Sequence, residues 1–389
     1  MSLPKSLGFS AGECQGELEH TLAEIVERIR EQDARRHSLA GLVKKLKNGI
    51  DLTGISELTE IVDHELVVKV EPDHLSNAAV AGVDGGMLCA ELHGLDLILV
   101  RAVGAIFHYR EGELSAAEYC PDEAPEPRLI PIMEPLDARE FELIAGMQRQ
   151  LAELRLATHM AEICEADLLL LDGSVVPQYV DRFPHGKKVM GAYRELMRAF
   201  VELYETCAGR GVLLVGAVKD SRSARFLDVF KHKVLPGLID GSSGGNETSL
   251  ARDEDIVNSR DTAFLNHLLE PGERSCVLKY ADATSVLHDL GGWAKRVYVF
   301  YLKAVPYDYP LRVEFIDGRG EVAQTVERVP SMLYALSGHH DSFGLPPVLI
   351  EADACARLTE ADFDVVRDGI MDRLGPSAFL DLRRNRRPF

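Results

Sequence analysis

Residues 168–174 read LLLLDGS, an apolar run that ends in an aspartate followed by two small residues. A related pattern occurs earlier, where residues 79–86 read AVAGVDGG. Short apolar runs bounded by glycine are typical of buried strands, so both runs are predicted to be strands that deliver Asp172 and Asp84 at their carboxyl ends. Ligands of α/β sheets bind at that edge. Residues 84–86 are predicted to form a turn.

Helical and strand patterns alternate around these two runs. Apolar side chains recur at helical spacing in residues 141–165 and 193–208, and residues 212–218 form a third apolar run. The long apolar run at residues 95–107 is predicted to lie antiparallel to the first strand. Strands that alternate with helices predict an α/β fold, here a mixed sheet flanked by helices. Residues 16–48 predict a helical region before it.

The chain is predicted to have three parts. These are an N-terminal helical region (residues 1–76), a main domain (residues 77–375) and a basic C-terminal tail (residues 376–389). Within the main domain, the proline-rich residues 120–135 and the polar residues 240–247 predict loops.

Composition excludes several classes of protein. The longest apolar runs are too short to cross a bilayer, and the first residues carry no signal-peptide pattern, so we expect a cytoplasmic protein with no membrane partner. Seven cysteines without a CxxC pair argue against a disulfide framework and a thiolate zinc site. A net charge of −19 disfavours nucleic acid on average, although a local basic patch or a divalent metal can reverse that sign.

The two strand-end aspartates have two possible roles. Asp-Gly is an ordinary turn dipeptide whose carboxylate bonds to local backbone N–H groups. If the strands are neighbours, however, Asp84 and Asp172 repel each other, and a bridging divalent cation relieves the repulsion. Hard oxygen ligands without cysteine favour Mg²⁺ or Mn²⁺ over zinc.

Five motifs occur in the order in which they appear in the NurA nucleases, a family that this chain resembles. They are VDGG at 83–86, LILVRAVGAIF at 97–107, LLLLDGS at 168–174, VGAVKDSRS at 215–223 and LPPVLIEADACARLT at 345–359. The resemblance implies a ribonuclease H-like core. It also implies metal-dependent DNA cleavage, 5′ to 3′ exonucleolytic and endonucleolytic on single strands. The implied partners are a HerA-type hexameric translocase in DNA-end processing and DNA repair, and a second copy of the chain.

The resemblance also implies a set of catalytic residues. Asp84 and Asp172 match the two metal aspartates of the family, and Glu153 matches a glutamate on the preceding helix, where an exposed salt-bridging glutamate is the alternative. Asp353 stands where the family typically has a histidine, and a carboxylate there can still coordinate Mg²⁺ or Mn²⁺. The first motif reads DGG where DGS is usual.

Four further residues are candidates for contacts with DNA. Lys219 follows the third apolar run and is placed to meet a phosphate, and Arg222 follows at the start of the next helix. A solvated helix start without a DNA contact is the alternative, and it is favoured for Arg222 but not for Lys219. Tyr301 and Arg312 lie on later predicted strands, where they would stack on bases or contact phosphates of single-stranded DNA. Placement in the core explains Tyr301 and Arg312 equally well.

Two other functions remain open at this stage. An actin-like or sugar-kinase-like phosphotransferase also places DGG-type turns around nucleotide phosphates, but its adenosine-binding glycine motif is missing here. A catalytically weak adaptor of a HerA-type ATPase is the other possibility, because Asp353 replaces the usual histidine. The primary prediction is a metal-dependent deoxyribonuclease.

Overall fold

The computed structural model describes residues 11–46, 52, 61–133, 136–177, 186–236, 259–280 and 285–375. The chain divides into two compact units, a smaller one (Met1–Glu57 with Arg222–Leu268) and a larger one (Leu58–Ser221 with Leu269–Phe389). The predicted domain boundaries therefore stay predictions. Both the basic tail and the loop at residues 240–247 lie outside the described residues.

The strands, in chain order, are β1 (Val67–Lys69), β2 (Ala79–Leu92), β3 (Leu95–Arg110), β4 (Glu113–Cys120), β5 (Arg128–Ile132), β6 (Leu168–Asp172), β7 (Leu213–Val218), β8 (Glu273–Ser275), β9 (Leu278–Lys279), β10 (Val297–Lys303) and β11 (Leu311–Ile316). The helices are α1 (Ala11–Leu46), α2 (Ala138–Ile163), α3 (Lys187–Arg210), α4 (Arg225–Val229), α5 (Asp261–Leu268), α6 (Ser285–Asp289), α7 (Val322–Ser337), α8 (Pro347–Ala356) and α9 (Glu360–Leu374). A π-helical turn continues α4, and a 3₁₀ turn follows α6.

All eleven strands belong to one mixed sheet in the larger unit. Their order is β1-β8-β10-β11-β7-β6-β2-β3-β4, with β5 paired to β3 and β9 paired to β10. Strands β2, β3 and β4 are antiparallel neighbours, whereas β2, β6 and β7 run parallel. An antiparallel group of three beside parallel strands is the arrangement expected of a ribonuclease H-like core. The predicted mixed α/β fold is confirmed.

Helices cover both faces of the centre of the sheet. In β6, Leu169 and Leu171 pack into a core with α2 and α3, while Leu168 and Leu170 pack into a second core with α7 and α8. Successive side chains of a strand point to opposite faces, so a strand buried on both sides must be apolar throughout. This explains why β6 is a continuous run of leucine.

Two sequence-based predictions about loops are wrong. Residues 84–86 are not a turn, because β2 continues without a break to Leu92 and pairs with β3 along its whole length. The proline-rich segment is not loop throughout, because β5 lies within it and pairs with β3. Pro131 has no N–H group to donate to a neighbouring strand. Among the described strands β5 pairs only with β3, so Pro131 lies on an edge strand, where proline is tolerated.

The smaller unit contains α1, α4 and α5. Asp33 of α1 bonds to His267 of α5, and the Asp261 carboxylate accepts hydrogen bonds from the first N–H groups of α4 at 3.0 Å. Phe226 stacks on Phe264. The first half of α1 leaves apolar side chains exposed. None of the described helices is long and apolar enough to cross a membrane.

Candidate active site

Three aspartates from three separate elements come together in the larger unit. Asp84 lies on β2, Asp172 is the last residue of β6, and Asp353 lies on α8. One carboxylate oxygen from each lies within 4.8 Å of the others. Strands β2 and β6 are parallel neighbours, and Val83 lies opposite Leu171. Asp84 and Asp172 directly follow these two residues, so they lie side by side on adjacent strands. The structure therefore brings together the three residues that were predicted to bind metal.

Two glycines allow α8 to approach β2 closely enough for this convergence. Gly82, Asp84 and Gly86 share one face of β2, since alternate residues of a strand point the same way. A Cβ atom on Gly82 would lie 3.0 Å from the carbonyl oxygen of Val348, and one on Gly86 would lie 2.1 Å from that of Ala356. The absence of side chains on both sides of Asp84 thus lets the helix lie directly on the strand.

The loop after β6 is fixed by buried contacts. A Cβ atom on Gly216 of β7 would lie 2.4 Å from the carbonyl oxygen of Gly173, so the loop packs directly on the neighbouring backbone. Ser174 Oγ donates to Glu314 Oε2 at 2.5 Å, and Glu314 is buried. These contacts fix the backbone that follows Asp172.

Excess negative charge dominates the site. Burial and the charge of Asp172 raise the pKa of Asp84 to about 7, and Asp353 adds to the increase while the Gly85 N–H lowers it. The Gly85 N–H donates to Asp84 Oδ1 at 2.7 Å. Lys219 supplies a positive charge from the carboxyl end of β7, with Nζ 2.6 Å from Asp172 Oδ2. The predicted position of Lys219 at this edge agrees with the structure.

Glu153 approaches the same site from α2 on the other face of β2. Glu153 is buried. A Cβ atom on Gly85 would lie 2.6 Å from Glu153 Oε1, so the absence of a side chain at Gly85 leaves room for the carboxyl group of Glu153. Burial raises the pKa of Glu153 to about 8; Arg149 lowers it, and Asp84 and Asp172 raise it further. Arg149 Nη1 lies 2.5 Å from Glu153 Oε1. Glu153 is therefore not the exposed salt-bridging residue of the alternative interpretation.

Tyr301 and Arg312 are placed differently from the prediction. Both are buried, and Arg312 donates to the Tyr301 hydroxyl at 2.9 Å and to Glu314 at 2.7 Å. A ring that is fully buried in a sheet has no exposed face on which a base could stack. The geometry corresponds to the core placement, and the predicted DNA contacts of these two residues remain without structural support.

The remaining predicted contact, Arg222, begins the second segment of the smaller unit. Its contact with DNA stays a prediction. Asp353 lies within α8 rather than at its start, and Arg357 Nη2 is 3.7 Å from its carboxylate. Asp353 is therefore not a cap of the helix.

Comparison with known families bears directly on this arrangement. A sequence model of the NurA domain matches residues 78–358. The chain belongs to the NurA domain family. The match includes every residue of the acidic cluster, Glu153 and Lys219.

Several solved structures are similar to this chain, and the one with a TM-score above 0.5 supports the same fold. The NurA nuclease from Sulfolobus solfataricus is 14% identical, with a TM-score of 0.52 over 92% of this chain and 97% of that chain. A structure of NurA with manganese is 10% identical, with a TM-score of 0.49 over 91% and 99% of the two chains. Endonuclease V from Bacillus subtilis gives 12% identity and a TM-score of 0.30 over 79% and 88%. No curated protein sequence matches the chain.

Sequence reasoning missed three features of this NurA domain. Arg149 precedes Glu153 by four residues, a spacing that places both on one helix face and was readable from the sequence. Glu314 is an acid in an apolar strand, which signals a buried pair. Tyr307 and Tyr309 lie in the connection between β10 and β11 with 79% and 64% of their surface exposed. The flanking Pro306, Asp308 and Pro310 mark this segment as a loop in the sequence, whereas Tyr301 lies in an apolar run.

Proposed function

We propose that this chain is a metal-dependent deoxyribonuclease that hydrolyses phosphodiester bonds. The observation that carries the proposal is the convergence of Asp84, Asp172 and Asp353, with ligand oxygens within 4.8 Å of one another. Membership in the NurA domain family favours a nuclease over an actin-like or sugar-kinase-like phosphotransferase. The resemblance to the family extends the proposal to 5′ to 3′ exonuclease activity and endonuclease activity on single strands.

The donor set fits a hard divalent cation. All three groups offer carboxylate oxygens, which Mg²⁺ and Mn²⁺ prefer. Burial and the charges of Asp172 and Asp353 raise the pKa of Asp84, and a bound cation would offset this cost of ionising the carboxyl group. Asp84, Asp172 and Asp353 would hold one or two such ions, which supply a Lewis acid that activates water and stabilises the leaving oxygen.

Two further side chains have roles in the proposal. Lys219 is half-exposed beside Asp172, so its ammonium group is available to a phosphate oxygen of the strand being cut. Glu153 is protonated near neutral pH in the absence of cations, because its pKa is about 8. A cation at the aspartates would lower that pKa through its charge, so Glu153 is the candidate to hold and release a proton next to Asp84.

Single-stranded DNA and duplex ends are the proposed substrates. The connection between β10 and β11 lies at the same edge of the sheet as Asp172, because Leu302 pairs with Leu311 and Arg312 pairs with Val218 at the end of β7. Its exposed rings, Tyr307 and Tyr309, offer faces for stacking on unpaired bases. We propose these two residues in place of Tyr301 as aromatic contacts.

The proposed biological setting is DNA-end processing and repair, in a cytoplasmic homodimer that works with a HerA-type hexameric ATPase. Support for the dimer comes from α1, where Leu18, Leu22, Ile25 and Ile29 are about half exposed. Their spacing of four, three and four residues is that of a helix-pairing seam. Light scattering tests the dimer, and Leu22→Glu with Ile25→Glu is expected to give the monomer mass.

Cleavage of a 5′-labelled single-stranded oligonucleotide tests the main proposal. The chain should cut it with Mn²⁺ or Mg²⁺ and not after chelation. Asp84→Asn and Asp172→Asn should each abolish cleavage while retaining the fold, and Asp122→Asn, on an exposed loop, serves as the control. A folded chain that binds a HerA-type ATPase and never cuts DNA with either metal would refute the nuclease and favour the adaptor.

A further inference from the structure

Arg149 lies beside the acidic cluster, and the proposed function gives it no role. It is on α2, one turn before Glu153, and its side chain is 37% exposed. Its Nη1 donates to Glu153 Oε1 at 2.5 Å and to the carbonyl oxygen of Gly85 at 3.3 Å. The same nitrogen lies 4.0 Å from Asp84 Oδ1. Nη1 of Arg149 therefore makes all three of these contacts with Glu153, Gly85 and Asp84.

The guanidinium group of Arg149 has further hydrogen-bond donors besides Nη1. An arginine side chain has five N–H donors on a planar fork. Among the residues that the structure describes, Nε and Nη2 of Arg149 have no hydrogen-bond partner. The side chain of Arg149 is also partly exposed, so a ligand at the surface can reach it while Arg149 pairs with the buried Glu153. Such a fork, whose Nε and Nη2 make no hydrogen bond to the described residues, can bind a phosphate group through two donors.

Glu153 and Gly85 hold Arg149 in place. The carboxylate of Glu153 fixes Nη1 from within the protein, and the carbonyl oxygen of Gly85 fixes it from the strand that carries Asp84. Lys219 contacts Asp172, the other strand aspartate. A strand of DNA at the three aspartates would therefore have a positive group next to each of the two strand aspartates.

We infer that Arg149 binds a phosphate group of the DNA strand at this site. The inference rests on the proposed function, since it names the substrate group that Arg149 contacts. The hydrogen bonds to Glu153 and Gly85 hold Arg149 in place in the free protein, and the charge of Arg149 then offsets that of the phosphate in the complex. The pair of Arg149 and Lys219 is the local positive patch that an otherwise acidic chain requires for a polyanion.

Arg155 supplies a matched control on the same helix. Its Nη2 lies 2.5 Å from Glu195 Oε1 and its side chain is 52% exposed, so it forms an ion pair of similar length away from the aspartates. The affinity for a labelled single-stranded oligonucleotide is measured by fluorescence anisotropy over a salt series. Ca²⁺ replaces Mn²⁺, under conditions in which intact oligonucleotide is recovered.

Arg149→Gln should weaken binding about tenfold and lower the slope of log affinity against log salt by about 0.7, the value for one phosphate contact on single strands. Arg149→Lys should retain that slope with weaker binding, because its charge remains without the fork. Arg155→Gln should match the parent in both quantities.

A second pair of variants covers the case in which Arg149→Gln unfolds because Glu153 is left unpaired. Glu153→Gln alone and Arg149→Gln with Glu153→Gln both remove the buried carboxylate, so their difference isolates Arg149. An equal salt slope in these two variants would overturn the inference and leave Arg149 as a partner of Glu153. A parent protein that binds DNA without ever cutting it would refute the proposed nuclease and leave this comparison valid.

Discussion

Two groups of charged side chains, the first buried and the second partly exposed, lie close together at one edge of the sheet. Arg312 and Glu314 on β11 form the first group, and the three aspartates with Lys219 form the second. The two groups are near neighbours, because Glu314 pairs with Gly216 on β7 and Asp172 pairs with the next residue of that strand. The first group has one positive and one negative charge, whereas the second group has three carboxylates and one ammonium group.

In the first group every charge has a partner. Arg312 and Glu314 are 2.7 Å apart, and the hydroxyl groups of Tyr301 and Ser174 complete the hydrogen bonds. In the second group only Asp172 has a close cation, Lys219 at 2.6 Å, while Arg149 and Arg357 lie 4.0 and 3.7 Å from Asp84 and Asp353. Burial and the neighbouring aspartates still raise the pKa of Asp84 to about 7. Removing one partner of a balanced buried pair leaves an uncompensated charge and destabilises the fold, whereas an excess of carboxylates can be relieved by an added cation. The four predictions below test this distinction.

The largest effect on stability is expected from breaking the balanced pair. Glu314→Ala leaves the buried guanidinium of Arg312 without its counter-ion, which should cost about 3–5 kcal/mol of the free energy of unfolding. Asp172→Ala removes one of three repelling charges, so it should leave the stability of the metal-free protein unchanged or higher. Urea unfolding in the presence of a chelator measures both.

The double variant Arg312→Met with Glu314→Met is the control for the pair. It removes both charges together and should recover much of the loss seen in Glu314→Ala. A loss below about 1 kcal/mol in Glu314→Ala would show that Arg312 is not left isolated. Equal losses in Glu314→Ala and Asp172→Ala would abolish the distinction between the two groups.

The next effect concerns the glycine that lets α8 reach β2. Gly86→Ser would restore the DGS that is usual in the family, yet its Cβ atom would lie 2.1 Å from the carbonyl oxygen of Ala356. Either the strand or the helix must move, which should cost about 1–3 kcal/mol and displace Asp353. Cleavage should fall together with stability. Gly94→Ser, where a Cβ atom meets nothing within 4 Å, tests whether the effect is local, although its φ of 94° adds strain of its own.

Gly82 and Gly86 separate the features that could be predicted from the sequence from those that could not. The aspartates, the strands and the mixed sheet were predictable, because continuous apolar runs that end in a polar residue have few other interpretations. The role of Gly82 and Gly86 was not, since a glycine for close helix approach and a glycine for a turn look alike in one sequence. Tyr307, by contrast, was distinguishable from Tyr301, because Pro306 and Pro310 flank it and mark the connection that follows the strand ending at Lys303.

Asp353 is expected to have a moderate effect on activity. Asp353→Ala removes one of three ligands and should lower both metal affinity and cleavage about tenfold or more. Asp353→His restores the usual family residue and should retain Mn²⁺-dependent cleavage, since imidazole coordinates this metal less readily than a hard carboxylate but still does so. Isothermal titration with Mn²⁺ measures the affinity separately. Cleavage by Asp353→Ala at the rate of the parent, with an unchanged metal requirement, would remove Asp353 from the site.

The smallest expected effect is a pH dependence of the metal-free protein. The pKa of Asp84 is raised to about 7, and in the unfolded chain an aspartate titrates near its ordinary value of about 4. Between these values the folded state holds a proton that the unfolded state has released. The free energy of unfolding should therefore fall as the pH rises from about 4 to about 8. Glu153, with a pKa of about 8, adds to the same trend.

Asp84→Asn removes one of these two contributions without changing the size of the side chain. The variant and the parent should differ little near pH 4, where the parent carboxyl is protonated, and the variant should be more stable near pH 8 by on the order of 2 kcal/mol. Urea unfolding at several pH values in a chelator gives the comparison. Saturating Mn²⁺ should reverse the trend in the parent alone, because the cation binds the ionised carboxylate and stabilises only the folded state. The same pH dependence in both proteins would mean that burial and the neighbouring aspartates do not raise the pKa of Asp84 in the folded chain, and the charge of this group would no longer mark a cation site.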